Sequence, residues 1–277
     1  MSAGMKTEIS SDPILKLEGV SIRFGGLRAL DQVTFDVKKG SITGVIGPNG
    51  AGKTTLFNLI SGVYVPTEGK ISFEGEELPK GKPEEVARIG LARTFQNLRL
   101  FRDLSALDNV LTAIDQSRKE PNSSAVSSIL GTTYFLNRED DKRKKALAFL
   151  KEVGLDHRAH EIVKNLPYGE QKRLEIARAI SLSPKIILLD EPAAGLNAKE
   201  TRELLDLLNV FKDKYSLTFV LIEHDMKLVM GLCDHIVVLN FGKQIAEGTP
   251  KEIQTNPAVR AAYLGKKGEN TNATPSP

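Results

Sequence analysis

Residues Gly47-Pro48-Asn49-Gly50-Ala51-Gly52-Lys53-Thr54 match the spacing G-x-x-x-x-G-K-[ST], a loop that works only between a strand and a helix. Both neighbours are legible. Ile42, Val45 and Ile46 predict a short buried strand running into the loop, and Lys53-Thr54-Thr55-Leu56-Phe57-Asn58-Leu59-Ile60 predicts the helix leaving it. Glycine lets the backbone turn its N–H groups inward around anionic oxygens, and the helix start adds partial positive charge. The predicted nucleotide-binding set is therefore Gly47, Pro48, Asn49, Gly50, Ala51, Gly52, Lys53, Thr54 and Thr55. Lys53 is expected to reach the β- and γ-phosphates, and the Thr54 hydroxyl to be a ligand of Mg²⁺. A chance glycine-rich turn is the competing reading, and the strand–loop–helix setting disfavours it.

The rest of the composition narrows the class. With 277 residues, 40% of them hydrophobic and 26% charged, the chain has ordinary globular values. A net charge of +3 is too even to argue for nucleic acid or an anionic membrane surface as partner. The lone Cys233 excludes an internal disulfide and suits a reducing compartment. The polar Met1 to Asp12 stretch has no signal-peptide pattern, and no apolar run approaches the ~18 residues needed to cross a bilayer. A cytoplasmic location is expected, with any service to a membrane performed through a partner.

Along the chain, Leu15 to Val20, Val33 to Val37 and Lys70 to Phe73 alternate, which predicts an antiparallel sheet with one wet face. Ile186-Ile187-Leu188-Leu189, Leu217 to Ile222 and Ile236-Val237-Val238-Leu239 are instead continuous apolar runs, suited to a parallel sheet buried on both faces. Helices are expected at Ala198 to Lys214 and Met226 to Cys233, so the second half reads as an α/β core. From about Asp103 to Asn165 no strand pattern is present. Asp108 to Ile114 and Arg138 to Val153 read as helices, the latter with Leu147, Leu150 and Val153 on one stripe beside a solvated charge run. Pro121 to Ser124 reads as a loop, and the polar tail from Gly265 onward is expected to be disordered.

A second chemical signal is the apolar strand that ends in Asp190-Glu191, at the edge where a parallel sheet binds ligands. Asp190 is expected to hold Mg²⁺, and Glu191, one residue on, to polarise an attacking water. A third is Leu166-Pro167-Tyr168-Gly169-Glu170-Gln171, followed by a helical stretch with Gly169 at its start. His224 follows a buried strand, and a core position there would bury Glu223 and Asp225 with it. His157 and His160 are spaced to share a helix face, yet no carboxylate or thiol pattern completes a metal site. His235 opens a strand and reads as structural.

The order phosphate loop, Gln96, Leu-x-x-Gly-x-Gln, Asp-Glu strand end and His224 resembles the ATP-binding cassette (ABC) proteins over nearly the whole chain. The resemblance implies roles for single residues. Phe24 matches the ring that stacks on adenine, although a core position remains open for it. Gln96 matches the glutamine that reaches Mg²⁺ and the attacking water, although it also fits a polar strand end. Tyr168, Gly169 and Glu170 belong to the signature that covers the nucleotide of another subunit. Ala194 to Asn197 match the loop after the catalytic glutamate, and His224 matches the switch histidine on the γ-phosphate. The chain departs from the family pattern at Pro167, where serine is usual, and at Asn197, where aspartate is usual. Proline offers neither hydroxyl nor N–H to a phosphate, but it also begins a helix well. Both readings stand at this point.

A finer resemblance rests on Ala92 to Phe101, Ile222 to Met230 and Asn256 to Gly265, which look like the LivG-type ATP-binding subunits of bacterial branched-chain amino acid importers. Relatives of that type also serve urea, amide or lipopolysaccharide transport. The resulting expectation is an α/β P-loop NTPase, with a RecA-like core, an antiparallel β-subdomain and a helical subdomain at about 103–165. These form one ATP-binding domain over 13–265, with 266–277 disordered. The implied activity is ATP hydrolysis coupled to uptake, with ATP and Mg²⁺ as cofactors. The implied partners are a second ABC ATPase subunit, two transmembrane permeases and a periplasmic substrate-binding protein, with no nucleic acid. The chain would lie at the cytoplasmic face of the inner membrane. A soluble non-transport ABC ATPase is the alternative. Translation types carry two cassettes where this chain has one phosphate loop, and repair types need a long coiled coil that 55–166 does not show.

Overall fold

The structure is a computed structural model that describes residues 13–94, 98–117 and 133–264. Two sheets organise it. In the first, β1 (Pro13–Phe24), β2 (Leu27–Lys38), β4 (Glu68–Phe73) and the short β5 (Glu76–Glu77) pair antiparallel in the order β2-β1-β4-β5. In the second, β3 (Ile42–Ile46), β6 (Leu91–Arg93), β7 (Ile186–Asp190), β8 (Thr218–Ile222), β9 (His235–Asn240) and β10 (Lys243–Gly248) run in the order β10-β9-β3-β8-β7-β6. All neighbours there are parallel except β10, which returns antiparallel to β9.

The continuous apolar runs are explained by this sheet. Successive side chains point to opposite faces, so a strand covered on both sides must be apolar at every position. Ile186 and Leu188 of β7, Val220 and Ile222 of β8, and Val237 and Leu239 of β9 enter one buried cluster. Their alternates Ile187, Leu189, Phe219, Leu221, Ile236 and Val238 enter the other. The first cluster joins the parallel sheet to the antiparallel one, with helix α1 (Lys53–Ile60) between them through Leu56, Phe57, Leu59 and Ile60. Full burial of each such side chain contributes roughly 1.5–3 kcal/mol, so α1 and the loop before it are clamped from both sides.

The second cluster joins the opposite sheet face to helices. These include α3 (Ala106–Ser117), α4 (Thr133–Glu152), α5 (Tyr168–Ser181), α6 (Ala198–Tyr215) and α7 (Met226–Leu232). A short α2 (Pro83–Arg88) precedes β6, and α8 (Pro250–Thr255) and α9 (Pro257–Leu264) close the described chain. Among the described residues no helix is long and apolar enough to cross a membrane.

Several sequence readings need correction. The α/β core of the second half also takes in the early strand β3, which lies between β9 and β8. The strands β6 and β10 were not legible: one is three residues long, and the other is partly exposed along its length. His157 and His160 share no helix face, since the helical turn is only Asp156–Arg158 and His160 follows it. Pro121 to Ser124 and the tail from Gly265 lie outside the described residues.

Candidate functional site

The loop after β3 is shaped by backbone positions that only glycine fills. Gly47 has φ 153°, and a Cβ there would sit 2.1 Å from the Leu239 carbonyl oxygen. Gly52 has φ 102° and caps α1, and its Cβ would press on Leu30 and the Ala29 carbonyl. Between them the Lys53 ammonium donates to the carbonyls of Gly47 at 2.7 Å and Pro48 at 3.1 Å. A cavity of about 550 Å³ opens over this loop, lined by Asn49, Gly50, Ala51, Gly52, Lys53, Thr54 and Thr55 together with Phe24 and Glu191. Phe24 is 43% exposed and stands edge-on to Tyr64 at 5.2 Å, so the core alternative for it is removed.

The parallel strands deliver acidic groups to the same edge. β7 ends in Asp190, whose carboxylate pairs with Arg93 at the end of β6, and Glu191 follows with φ 48°, a strained value for a residue with a Cβ. β8 ends one residue before Glu223. The Glu223 carboxylate is 1% exposed and accepts from Ala193 N at 3.0 Å and from His224 N at 3.2 Å. Burial pushes its carboxyl above the usual glutamate range, and the two N–H donors oppose that shift. The expectation that Glu223 would be buried only with a core His224 is therefore corrected: Glu223 is buried although His224 is exposed, and backbone donors compensate it. His224 itself is exposed, with Nδ1 4.0 Å from Glu191 and 3.8 Å from Glu223.

Tyr168, Gly169 and Glu170 lie elsewhere. Gly169 and Glu170, with Pro167, Asn197 and Glu200, line a separate cavity of about 340 Å³ that shares no residue with the first. The Tyr168 ring packs on Gly195, where a Cβ would approach it to 2.9 Å. Arg158 pairs with Glu170 at 3.1 Å, which ties the signature to the helical region. Asn197 caps α6: its Oδ1 accepts from Lys199 N and Glu200 N, and Glu200 returns a bond to Asn197 N. Gln96 lies outside the described residues.

Sequence reasoning missed Leu27, Arg28, Ala29, Phe241 and Gly242, all of which line the first cavity. No spacing rule marks them, because they come from the start of β2 and the turn between β9 and β10, which only the fold brings to the loop.

The chain resembles known proteins over most of its length. The family described as ABC transporter matches residues 30–194, and the family described as branched-chain amino acid ATP-binding cassette transporter matches residues 243–269. The high-affinity branched-chain amino acid transport ATP-binding protein LivG of Escherichia coli is 44% identical over 256 residues, covering 92% of this chain and 99% of that protein. A crystal structure of the ADP conformation of an ATP-binding cassette of an ABC transporter superposes with TM-score 0.79 at 32% identity, over 92% of this chain and all of that one. A dimeric structure of a bacterial ABC transporter cassette superposes with TM-score 0.70 at 27% identity, over 85% of this chain and 98% of that one.

Proposed function

This chain belongs to the ABC transporter family of nucleotide-binding ATPases, and from that premise we propose that it is the ATP-binding subunit of an importer for branched-chain amino acids. The names of its relatives and the match over 243–269 support that substrate class. Residues 13–265 act as one ATP-binding unit, in which a helical portion at about 103–165 leads into the signature.

The Gly47–Thr54 backbone and the α1 N-terminus cradle the polyphosphate, and Lys53 turns from loop carbonyls to the β- and γ-phosphates. Thr54, Asp190 and Gln96 would hold Mg²⁺. The fit is chemical: these are hard oxygen donors, and among the described residues no group of three or more carboxylates, histidines or thiols could form a protein-only cage. Mg²⁺ is usually held by one or two carboxylates, here Asp190, and completes its shell with neutral oxygens, phosphate and water. When bound, it neutralises charge on the β- and γ-oxygens. Glu191 accepts a proton as water adds to the γ-phosphorus, the bond to the β–γ bridging oxygen breaks, and ADP leaves. His224 donates to the γ-phosphate, and its Nδ1 lies 4.0 Å from Glu191 and 3.8 Å from Glu223.

One observation carries the quaternary reading: Lys53 and Glu191 line one cavity, and Gly169 lines another. A single chain therefore supplies two half-sites, and Tyr168, Gly169 and Glu170 cover the nucleotide of a second cassette. ATP favours that closed dimer and hydrolysis releases it, so the γ-phosphate biases a two-state assembly. Two permeases hold the chain at the cytoplasmic face of the inner membrane, and a periplasmic binding protein brings the substrate. In proteoliposomes with its permeases and partner cassette, ATP hydrolysis should rise when binding protein loaded with leucine, isoleucine or valine is added. Stimulation by urea or an amide instead would reassign the substrate. No association with solubilised membrane permeases would reject the transporter reading.

A further inference from the structure

Phe241 sits where a large aromatic residue is poorly suited. It occupies the turn between β9 and β10 with φ 46°, a left-handed conformation that side chains beyond Asn and Asp rarely adopt, and it is 81% exposed. The following Gly242 bears what the turn needs for close approach, since a Cβ there would lie 2.6 Å from the Ala29 carbonyl oxygen. The turn is fixed rather than loose. Gly242 N donates to Ala51 O at 3.1 Å in the phosphate loop, and Gly242 O accepts from Asp31 N at 2.9 Å. The backbone that carries Phe241 is therefore fixed beside the phosphate-binding loop, and Phe241 lines the same cavity.

That cavity divides by chemistry. Lys53, Thr54 and Glu191 make a charged and polar floor, and Phe24, Leu27 and Phe241 put exposed apolar surface on its wall. A nucleotide whose phosphates fill the loop has one apolar part left to place, a flat base whose faces stack on aromatic rings. We propose that Phe241 is a base-binding residue, forming with Phe24 and Leu27 a wall that receives the purine ring of the bound nucleotide. The inference rests on the nucleotide reading of Gly47–Thr54 and adds a residue that binds the base. On this reading the positive backbone φ and the exposure of the ring serve ligand contact and not folding.

The test is calorimetric titration of the purified full chain with Mg²⁺-ATP and, separately, with inorganic tripolyphosphate, which has the phosphates but no base. Phe241→Gly should weaken ATP about tenfold, as loss of one base–aromatic stack implies, and leave tripolyphosphate affinity unchanged. Phe241→Trp should keep ATP affinity. Glycine suits φ 46° better, so Phe241→Gly should melt no lower than wild type, which separates lost binding from lost folding. Unchanged ATP affinity in Phe241→Gly would overturn the proposal, including the case where only dimerisation with the partner cassette suffers. Equal losses for both ligands would overturn it too, because the turn would then serve the phosphate loop. Lys53→Ala is the control for the underlying reading: unchanged affinity for both ligands in that variant rejects the phosphate loop itself, whatever Phe241 does.

Discussion

The Arg93 guanidinium meets the Asp190 carboxylate at 3.1 Å, with side chains only 7% and 9% exposed. Arg93 also donates to Asn58 at 2.6 Å and to Ser61 at 3.2 Å, and it lies over the Phe57 ring. One side chain thus joins the ends of β6 and β7 to the helix that leaves the phosphate loop. Removing one partner of a buried pair leaves the other charge uncompensated, which typically costs ~3–5 kcal/mol. Arg93→Ala should lower the melting temperature clearly and reduce ATP turnover, because Asp190 loses the contact that fixes its carboxylate. A melting curve that overlays wild type would show that the pair does not hold the strand ends.

Arg93 also marks the limit of what sequence could say. The loop Gly47–Thr54, the strand end Asp190-Glu191 and helix α1 were legible because each is a local pattern with a strict spacing. Burial of alternate residues on two faces made β7, β8 and β9 legible as apolar runs. Arg93 is the one cation of a three-residue strand, and its partners Ser61, Asn58 and Asp190 lie 32, 35 and 97 positions away. Phe241 and Gly242 are a turn in any reading, and only their bonds to Ala51 and Asp31 place them at the site. The backbone donors that permit the burial of Glu223 have no sequence signal. Asn197 stood out as a departure from a family pattern; its oxygen accepts both N–H groups in a capping box with Glu200, a role that aspartate fills equally well, so the cap tolerates the change without explaining it.

Glu191→Gln should keep ATP binding and nearly abolish hydrolysis. The amide preserves the shape of the cavity wall but is a far poorer proton acceptor, and general-base help is typically worth ~10²–10⁴ in rate. ATP should then accumulate in a closed dimer when the partner cassette is present. Phosphate release close to wild type in that mixture would remove Glu191 from the reaction.

Glu223 makes a pH prediction with a definite sign. Its folded-state pKa is raised above the ordinary value of 4.5, chiefly by burial, so the folded chain holds this proton at pH values where the unfolded chain has lost it. Stability from this group is full below 4.5 and falls as pH rises through the raised value. Glu223→Gln removes that titration. The difference in melting temperature between variant and wild type should therefore shift in favour of the variant as pH is raised from 4.5 toward neutrality. Glutamine keeps only one carbonyl oxygen for two N–H donors, which sets a constant offset and leaves the pH trend intact. A difference that is flat across this range would mean that Glu223 titrates as an ordinary carboxylate.

Pro167 provides the sharpest test of the two half-sites. It is exposed, caps α5 with φ −53° and ψ 150°, and its carbonyl accepts from Glu170 N and Gln171 N at 3.0 Å each. It therefore precedes the first helical residue, so the sequence reading that makes it the first residue of the helix shifts by one position. At a cap, serine is among the preferred residues, because its hydroxyl accepts from the N–H groups that proline leaves to solvent or ligand. Pro167→Ser should consequently fold at least as well as wild type, and any functional gain is not confounded by a weaker helix. If the signature faces a partner's γ-phosphate, serine adds a hydroxyl donor where negative charge must be held, and hydrogen bonds to charged groups contribute ~1.5–3 kcal/mol. ATP hydrolysis by the assembled transporter should then rise, or ATP-driven dimerisation should tighten. ATP affinity of the isolated chain should not change, since residue 167 lines the second cavity and not the one over its own phosphate loop. Tighter ATP binding by the isolated chain would contradict the division into half-sites. A lower melting temperature with no gain in turnover or dimerisation would assign Pro167 to helix geometry alone.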